Sequence, residues 1–252
     1  MAELTQFAKD TLEDRYLQDG DASISQAFAR AASAFASNQS HADRMYDYTF
    51  EKHWMTLATP TLSNAPQRKY DTWGRFDTDA FEDRRVGLPI SCFLNYVPDS
   101  REGLGDHYNE NIWLASSGGG IGGYWGHVRS DGAKTSNGSQ STGSIPFIHV
   151  VDSQMLAFNQ GKTRRGSYAA YMDISHPEIM EFLEIRKPTG GDANRKSLNL
   201  HHGINIPDIF MEFVEEALNG GDPLWDLIDP NSGRITETVS VKALWQKILE
   251  LR

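Results

Sequence analysis

Residues able to do chemistry concentrate in a few short stretches of this sequence. Ser116 to Arg129 reads SSGGGIGGYWGHVR, with three consecutive glycines, Ile121 and two further glycines. Glycine inside a helix or strand is unfavourable by about 0.5–1 kcal/mol against alanine. The run therefore predicts a loop that turns with positive φ or that another group approaches closely, and its plain alternative is a mobile loop with no ligand. Apolar residues lead in (Asn111-Ile-Trp-Leu-Ala) and out (Tyr124, Trp125, Val128), so the loop reads as set into a packed element. No strand signal precedes it and no acidic residue follows at the right distance, so it is not a dinucleotide fingerprint. Ser130 to Thr142 (SDGAKTSNGSQST) is a polar run of turn formers holding Lys134, and Gly161 to Ser167 (GKTRRGS) gathers Lys162, Arg164 and Arg165. All three stretches are candidates for a phosphorylated ligand, through backbone N–H groups or bidentate arginine. For the basic cluster the alternative is a solvated loop paired with nearby carboxylates. Cys92 follows Ser91 in an apolar run and, taken alone, reads as a structural cysteine. It has no His/Asp arrangement of a cysteine hydrolase and no second cysteine for a metal, and His201-His202 has no further ligand at useful spacing. No metal site is expected.

Composition narrows the classes. The chain has 252 residues, a formal net charge of −10 and one cysteine, with 39% hydrophobic and 23% charged residues. Its pI is about 5.2. That balance argues against a nucleic-acid binder, which needs a basic face, while leaving room for a small phosphate ligand held by local cations. Neither a membrane-length apolar run nor a signal-peptide pattern is present, so a cytoplasmic protein is expected.

The positioning elements follow from periodicity and punctuation. Residues 1 to about 50 read as helices: Ala8 to Tyr16, Ile24 to Phe35 capped by Ser23, and Met45 to Leu57, which Thr59-Pro60-Thr61 is expected to stop. Ser63 to Arg85 carries no clear signal. Leu88 to Val97 reads as a buried strand, and Asp99-Ser100 as the cap of a helix over Arg101 to Ala115. Ile145 to Asn159 reads as an amphipathic helix, Tyr168 to Ile174 as a strand, and His176 to Arg186 as a helix opened by Pro177. Leu198 to Ile206 is expected as a strand, Pro207 to Leu218 and Val241 to Arg252 as helices. Strands alternating with helices make an α/β fold. The sequence stops inside a helix with its apolar side open, so a split or truncated protein is expected.

Five stretches in order carry a resemblance: LATPTLSNAP (57–66), PISCFLNYVPDS (89–100), SSGGGIGG…HVRSDGA (116–133), GKTRRGSYAAYMDISHPEIMEFLEIRK (161–187) and NIPDIFMEFVEEA (205–217). Together they resemble the catalytic large subunit of ribonucleotide reductase, of the aerobic type that works with a radical-bearing small subunit. Adenosylcobalamin-dependent reductases share several of these motifs.

The resemblance implies a fold and roles. Residues 1–55 would be an amino-terminal helical segment without the family's ATP-binding regulatory domain. Residues 56–252 would be the first half of a ten-stranded α/β barrel built from two half-barrels of five parallel strands. Cys92 matches one of two cysteines that reduce the ribose and become a disulfide. Thr59 and Ser91 match residues on the substrate's phosphate or ribose side, Gly119 and Gly120 line the substrate pocket, and Gln160 and Arg165 match substrate-base contacts. Asp99 and Arg129 match contacts to an allosteric deoxynucleotide or ATP, with Ser100 and Lys134 beside them. No cofactor is expected on this chain; the radical would come from a partner subunit with a dimetal centre. With one cysteine, the chain lacks the family's thiyl-radical cysteine, the partner redox cysteine and the carboxy-terminal pair. The implied partners are the other half of the large subunit, the small subunit, thioredoxin or glutaredoxin as reductant, and a second copy through the helices flanking the effector site. Nucleic acid and membrane are not among them. The alternative is a non-catalytic nucleotide-binding or assembly module derived from that subunit.

Overall fold

The computed structural model describes residues 4–70, 76–81, 88–158 and 166–251. They form two compact units: one runs to Ser91 and takes in Ser117–Gly119, and the other holds Cys92–Ser116 and, among the described residues, 120–158 and 166–251. No helix among the described residues is long and apolar enough to cross a membrane.

The first unit is helical, as the apolar spacing predicts. α1 (Gln6–Tyr16) starts on Thr5 and α2 (Ile24–Phe35) on Ser23, each hydroxyl accepting from an amide three residues on at 3.3 Å. Such caps satisfy amides that the helix leaves without partners. α3 (Gln39–Tyr46) starts on Asn38 and closes in one π-helical turn, Asp47–Glu51. The helix expected over Met45 to Leu57 therefore stops early: His53 takes a φ of 54°, and the Trp54 and Met55 amides fold back onto the Tyr48 carbonyl. α4 (Thr59–Asn64) corrects a second expectation, because Pro60 opens this helix instead of ending the previous one. In the first turn proline's missing N–H has no partner to lose and its fixed φ already suits the helix. α2 packs Ala27, Ala31 and Ala34 against Leu62 and Ala65. Beside them a buried Arg30–Asp21 pair, each side chain 1% exposed, ties α2 to the α1–α2 turn and to the Leu62 and Ala65 carbonyls. β1 (Arg68–Tyr70) and β2 (Phe76–Phe81) make an antiparallel ribbon inside the stretch that carries no sequence signal.

The second unit is built on a parallel sheet. β3 (Cys92–Tyr96), β4 (Gly120–Tyr124), β7 (Ser167–Asp173) and β8 (His201–Asn205) lie side by side in chain order. β5 (Asp131–Lys134) and β6 (Gln140–Thr142) form a separate antiparallel hairpin. The crossovers carry α5 (Arg101–Ser116), α6 (Ile145–Ala157) and α7 (Ile179–Leu183). Right-handed crossovers between strands added in one direction set their helices on one face of the sheet. On that face Ile121, Tyr168, Ala170 and Met172 join Ile145, Ile148, Val151, Ile179 and Phe182 in one core. α8 (Asp208–Leu218) follows β8. A second hairpin, β9 (Leu224–Ile228) with β10 (Ile235–Ser240), then leads into α9 (Val241–Leu251), and Trp225 packs edge-on against Phe210 at 5.0 Å. The resemblance implies five parallel strands, and the described residues hold four.

Three expectations change here. The glycine-rich stretch is a strand and not a loop: β4 is paired on both sides, and in that run only Gly118 has positive φ. Its glycines do admit close neighbours, but these are the protein's own side chains. A Cβ on Gly122 would lie 2.7 Å from Leu94, and one on Gly123 would lie 1.7 Å from the Tyr168 hydroxyl. The strand expected buried over Leu88 to Val97 is shorter and half-exposed, since Cys92, Leu94 and Tyr96 point from the sheet face without helices. The polar run after Arg129 is the β5–β6 hairpin, turned at Asn137-Gly138.

Candidate functional site

The end of β3 and the start of α5 build one wall of a cleft. Val97 is buried, Pro98 turns the chain, and Ser100 caps α5 by accepting from the Gly103 amide at 3.0 Å. Asp99 thereby stands at a helix amino terminus, where unpaired amides favour an anion. The opposite wall comes from the segment after β4. Arg129 Nε donates to both Asp99 carboxylate oxygens, at 3.0 and 2.8 Å, and its Nη1 donates to the Lys134 carbonyl at 3.0 Å. The β5–β6 hairpin contributes Thr135, Asn137, Gln140 and Thr142, and α6 contributes Phe147. The cleft measures about 520 Å³, the scale of a small-molecule site. An arginine fork, a helix amino terminus and hydroxyl side chains suit a phosphorylated ligand.

Asp99, Ser100 and Arg129 thus come together in this cleft, and Lys134 joins through its backbone oxygen. Sequence reasoning missed Asn231, whose Nδ2 donates to Asp99 Oδ2 at 2.6 Å from the turn between β9 and β10. The signal was there in Asp229-Pro-Asn-Ser-Gly233, a run of turn formers between two apolar segments.

Cys92 opens β3, exposed, and its register partner on β4 is Gly120. Ser91 precedes it directly and is half-buried, and Gly119 is buried. Thr59 belongs to the first unit, where it starts α4 with its hydroxyl 3.2 Å from that of Tyr16. Gln160 and Arg165, with Lys162 and Arg164, lie outside the described residues. His202 stands edge-on to Phe182 at 5.2 Å, and burial lowers its pKa. No cluster of three metal-ligating side chains occurs among the described residues.

A chain-ordered parallel sheet with helices on one face and a helix-terminated, arginine-lined cleft defines a segment of an α/β barrel. Family comparison names the barrel: residues 90–250 match the ribonucleotide reductase barrel domain, and residues 2–70 match the ribonucleotide reductase all-alpha domain. The chain belongs to the ribonucleotide reductase large-subunit family. The ribonucleoside-diphosphate reductase large subunit of Invertebrate iridescent virus 6 is 40% identical over 243 residues, 96% of this chain and 22% of that one. A Frog virus 3 (isolate Goorha) protein named as a ribonucleoside-diphosphate reductase large subunit is 57% identical over 166 residues, covering 66% of this chain and 27% of its own length. The chain thus spans about a quarter of these two relatives. The Actinobacillus ureae class Id ribonucleotide reductase alpha subunit superposes over 98% of this chain and 38% of its own with a TM-score of 0.67. At 23% identity it shows the shared fold.

Proposed function

We propose that this chain forms the effector site and part of the reducing site of a ribonucleoside-diphosphate reductase large subunit. One observation carries the reading: Asp99 and Arg129 meet across a cleft of about 520 Å³ that opens onto the amino terminus of α5. There Arg129 and the helix amides take the phosphates of a deoxynucleoside triphosphate or ATP, Asp99 takes the sugar, and Ser100 and Lys134 flank them. On binding, Asp99 exchanges its bonds to Arg129 for bonds to the ligand. On the substrate side, Cys92 is exposed at the head of β3 beside Gly120. Thr59, Ser91, Gly119 and Gly120 contribute to substrate binding, and Gln160 and Arg165 take the base.

The chemistry is a two-electron reduction. The 2′ hydroxyl of the ribonucleotide leaves as water, and Cys92 and a second cysteine, supplied by another polypeptide, pass from two thiols to one disulfide. A radical delivered by the small subunit opens the reaction at the 3′ carbon. Thioredoxin or glutaredoxin restores the thiols, and α5 and α6 pair with their copies in a dimer.

The test is turnover in the assembled enzyme, with this chain, the polypeptide carrying the remaining barrel and the small subunit combined. Cys92→Ser abolishes deoxynucleotide formation and leaves effector binding unchanged. Full turnover by this variant overturns the redox role. The rival, a nucleotide-binding module without reduction, rests on the same cleft and gains if the wild-type assembly binds effector yet forms no product.

A further inference from the structure

Behind the cleft, segments far apart in sequence meet on one buried carboxylate. Glu178 lies in the turn Ser175-His176-Pro177-Glu178 between β7 and α7, and it is 6% exposed. Its Oε2 accepts from the Ser144 amide at 2.7 Å and from the Ser144 hydroxyl at 2.8 Å. Its Oε1 faces Arg195 Nη2 at 3.5 Å and presses on Gly143, where a Cβ would come within 1.9 Å of it. Gly143 also holds a φ of +81°, so the turn after β6 admits glycine for two separate reasons. Arg195 is fixed by Glu181, at 2.5 and 2.7 Å, and its Nη1 donates to the Thr142 carbonyl at 3.0 Å. On the other side of the same turn, His176 Nδ1 accepts from the Glu178 amide at 3.1 Å. Its Nε2 donates to the Val128 carbonyl at 2.8 Å, one residue before Arg129. Both ring nitrogens are used in the neutral form, and burial lowers the His176 pKa accordingly.

Two backbone segments that wall the cleft, Val128 beneath Arg129 and Thr142 at the end of β6, are therefore pinned to one turn. A buried ion pair is seldom more stabilising than apolar residues of the same volume. What Glu178 and Arg195 supply is geometry. We propose that Glu178 is a positioning residue of the nucleotide cleft, acting through Ser144 and, with Arg195, through Thr142 to set the β6 wall against Arg129. The inference rests on the reading of that cleft as a deoxynucleotide site, and it assigns a task to the His-Pro-Glu turn, which that reading leaves unused.

Equilibrium binding of deoxythymidine triphosphate to the full 252-residue chain tests it, with thermal unfolding recorded for each variant. Arg129→Ala is the reference that loses binding. Glu178→Ala weakens affinity about 10-fold, the scale of a lost charge-assisted hydrogen bond. Glu178→Gln, which still accepts from Ser144, recovers part of that loss. Ser144→Ala removes one of the bonds from the opposite side and weakens binding at an unchanged melting temperature, which keeps the test decisive if Glu178→Ala does not fold. Wild-type affinity in the Glu178 and Ser144 variants, with Arg129→Ala impaired, overturns the inference and leaves the cleft reading standing. Equal losses for Glu178→Ala and Glu178→Gln that track a fall in melting temperature also overturn it. A wild-type chain that binds no deoxynucleotide, or binds it regardless of Arg129, overturns both.

Discussion

His107 Nε2 on α5 accepts from Asn111 Nδ2 at 3.0 Å and lies 3.1 Å from the Tyr168 hydroxyl, which takes the Trp125 indole N–H at 2.9 Å. A ring that accepts at one nitrogen is neutral, and burial pulls its pKa down to about 4. Below the ordinary value of 6.5 the unfolded chain takes up a proton that the native ring refuses, so stability is lost as pH falls from 6.5 to about 4. The slope reaches about 1.4 kcal/mol per pH unit for a single group. Glu178 has the opposite sign, since burial raises its pKa and its contribution is lost as pH rises. Comparison with a variant separates the two. Urea unfolding at pH 7.5 and pH 5 is expected to show His107→Gln much less stable than wild type at the higher pH, with the gap narrowing at the lower. A constant gap would mean that the native ring is not held neutral.

At the level of elements, β4 carries the clearest lesson. Three glycines in a five-residue strand lower its propensity, and local reasoning turns the run into a loop. The strand forms because β3 and β7 pair with it on either side and because Leu94 and the Tyr168 hydroxyl occupy the space where Gly122 and Gly123 would carry Cβ atoms. Gly123→Ala is expected to destabilise by about 1–3 kcal/mol, the range for overpacking, because Tyr168 is tethered to both Trp125 and His107 and cannot yield. Gly105→Ala in α5 meets nothing within 4 Å and is the control, expected to be neutral or to stabilise by up to about 1 kcal/mol. Denaturant midpoints of the two variants decide the matter, and equal midpoints would mean that Tyr168 moves aside. Elsewhere local signals sufficed: α2 begins and ends where its spacing and its Ser23 cap predict, and α8 follows Pro207. The β5–β6 hairpin was not legible, because short polar strands such as Asp131–Lys134 carry no alternation to read, whereas the β9–β10 hairpin was missed although turn formers separate its strands.

At the scale of the whole molecule, the sheet face without helices presents Cys92, Leu94, Tyr96 and Tyr171, with Leu94 87% exposed. Apolar side chains gathered on one sheet face are the mark of a surface that another element covers, and among the described residues β3 and β8 are the outer strands of this sheet. The proposed second half of the barrel would seat there. Leu94→Asp is expected to leave the chain's own stability within about 0.5 kcal/mol, as for other exposed positions, and to abolish association with the proposed second half of the barrel. Undiminished assembly by Leu94→Asp would show that this face is not the seat.

The sequence by itself determined the helical amino-terminal segment, the α/β alternation that follows and the family, because caps, prolines, apolar spacing and ordered motifs are local and survive without coordinates. It also singled out Asp99, Ser100 and Arg129. Tertiary structure decided that these residues share one cleft, that Asn231 reaches Asp99 from a distant hairpin, and that Glu178 braces the cleft wall from behind. It also turned the glycine run into a central strand and left Cys92 exposed at its neighbour's head. Each of these depends on which residues the sheet register and the crossovers bring within hydrogen-bond distance, and no local pattern encodes that distance.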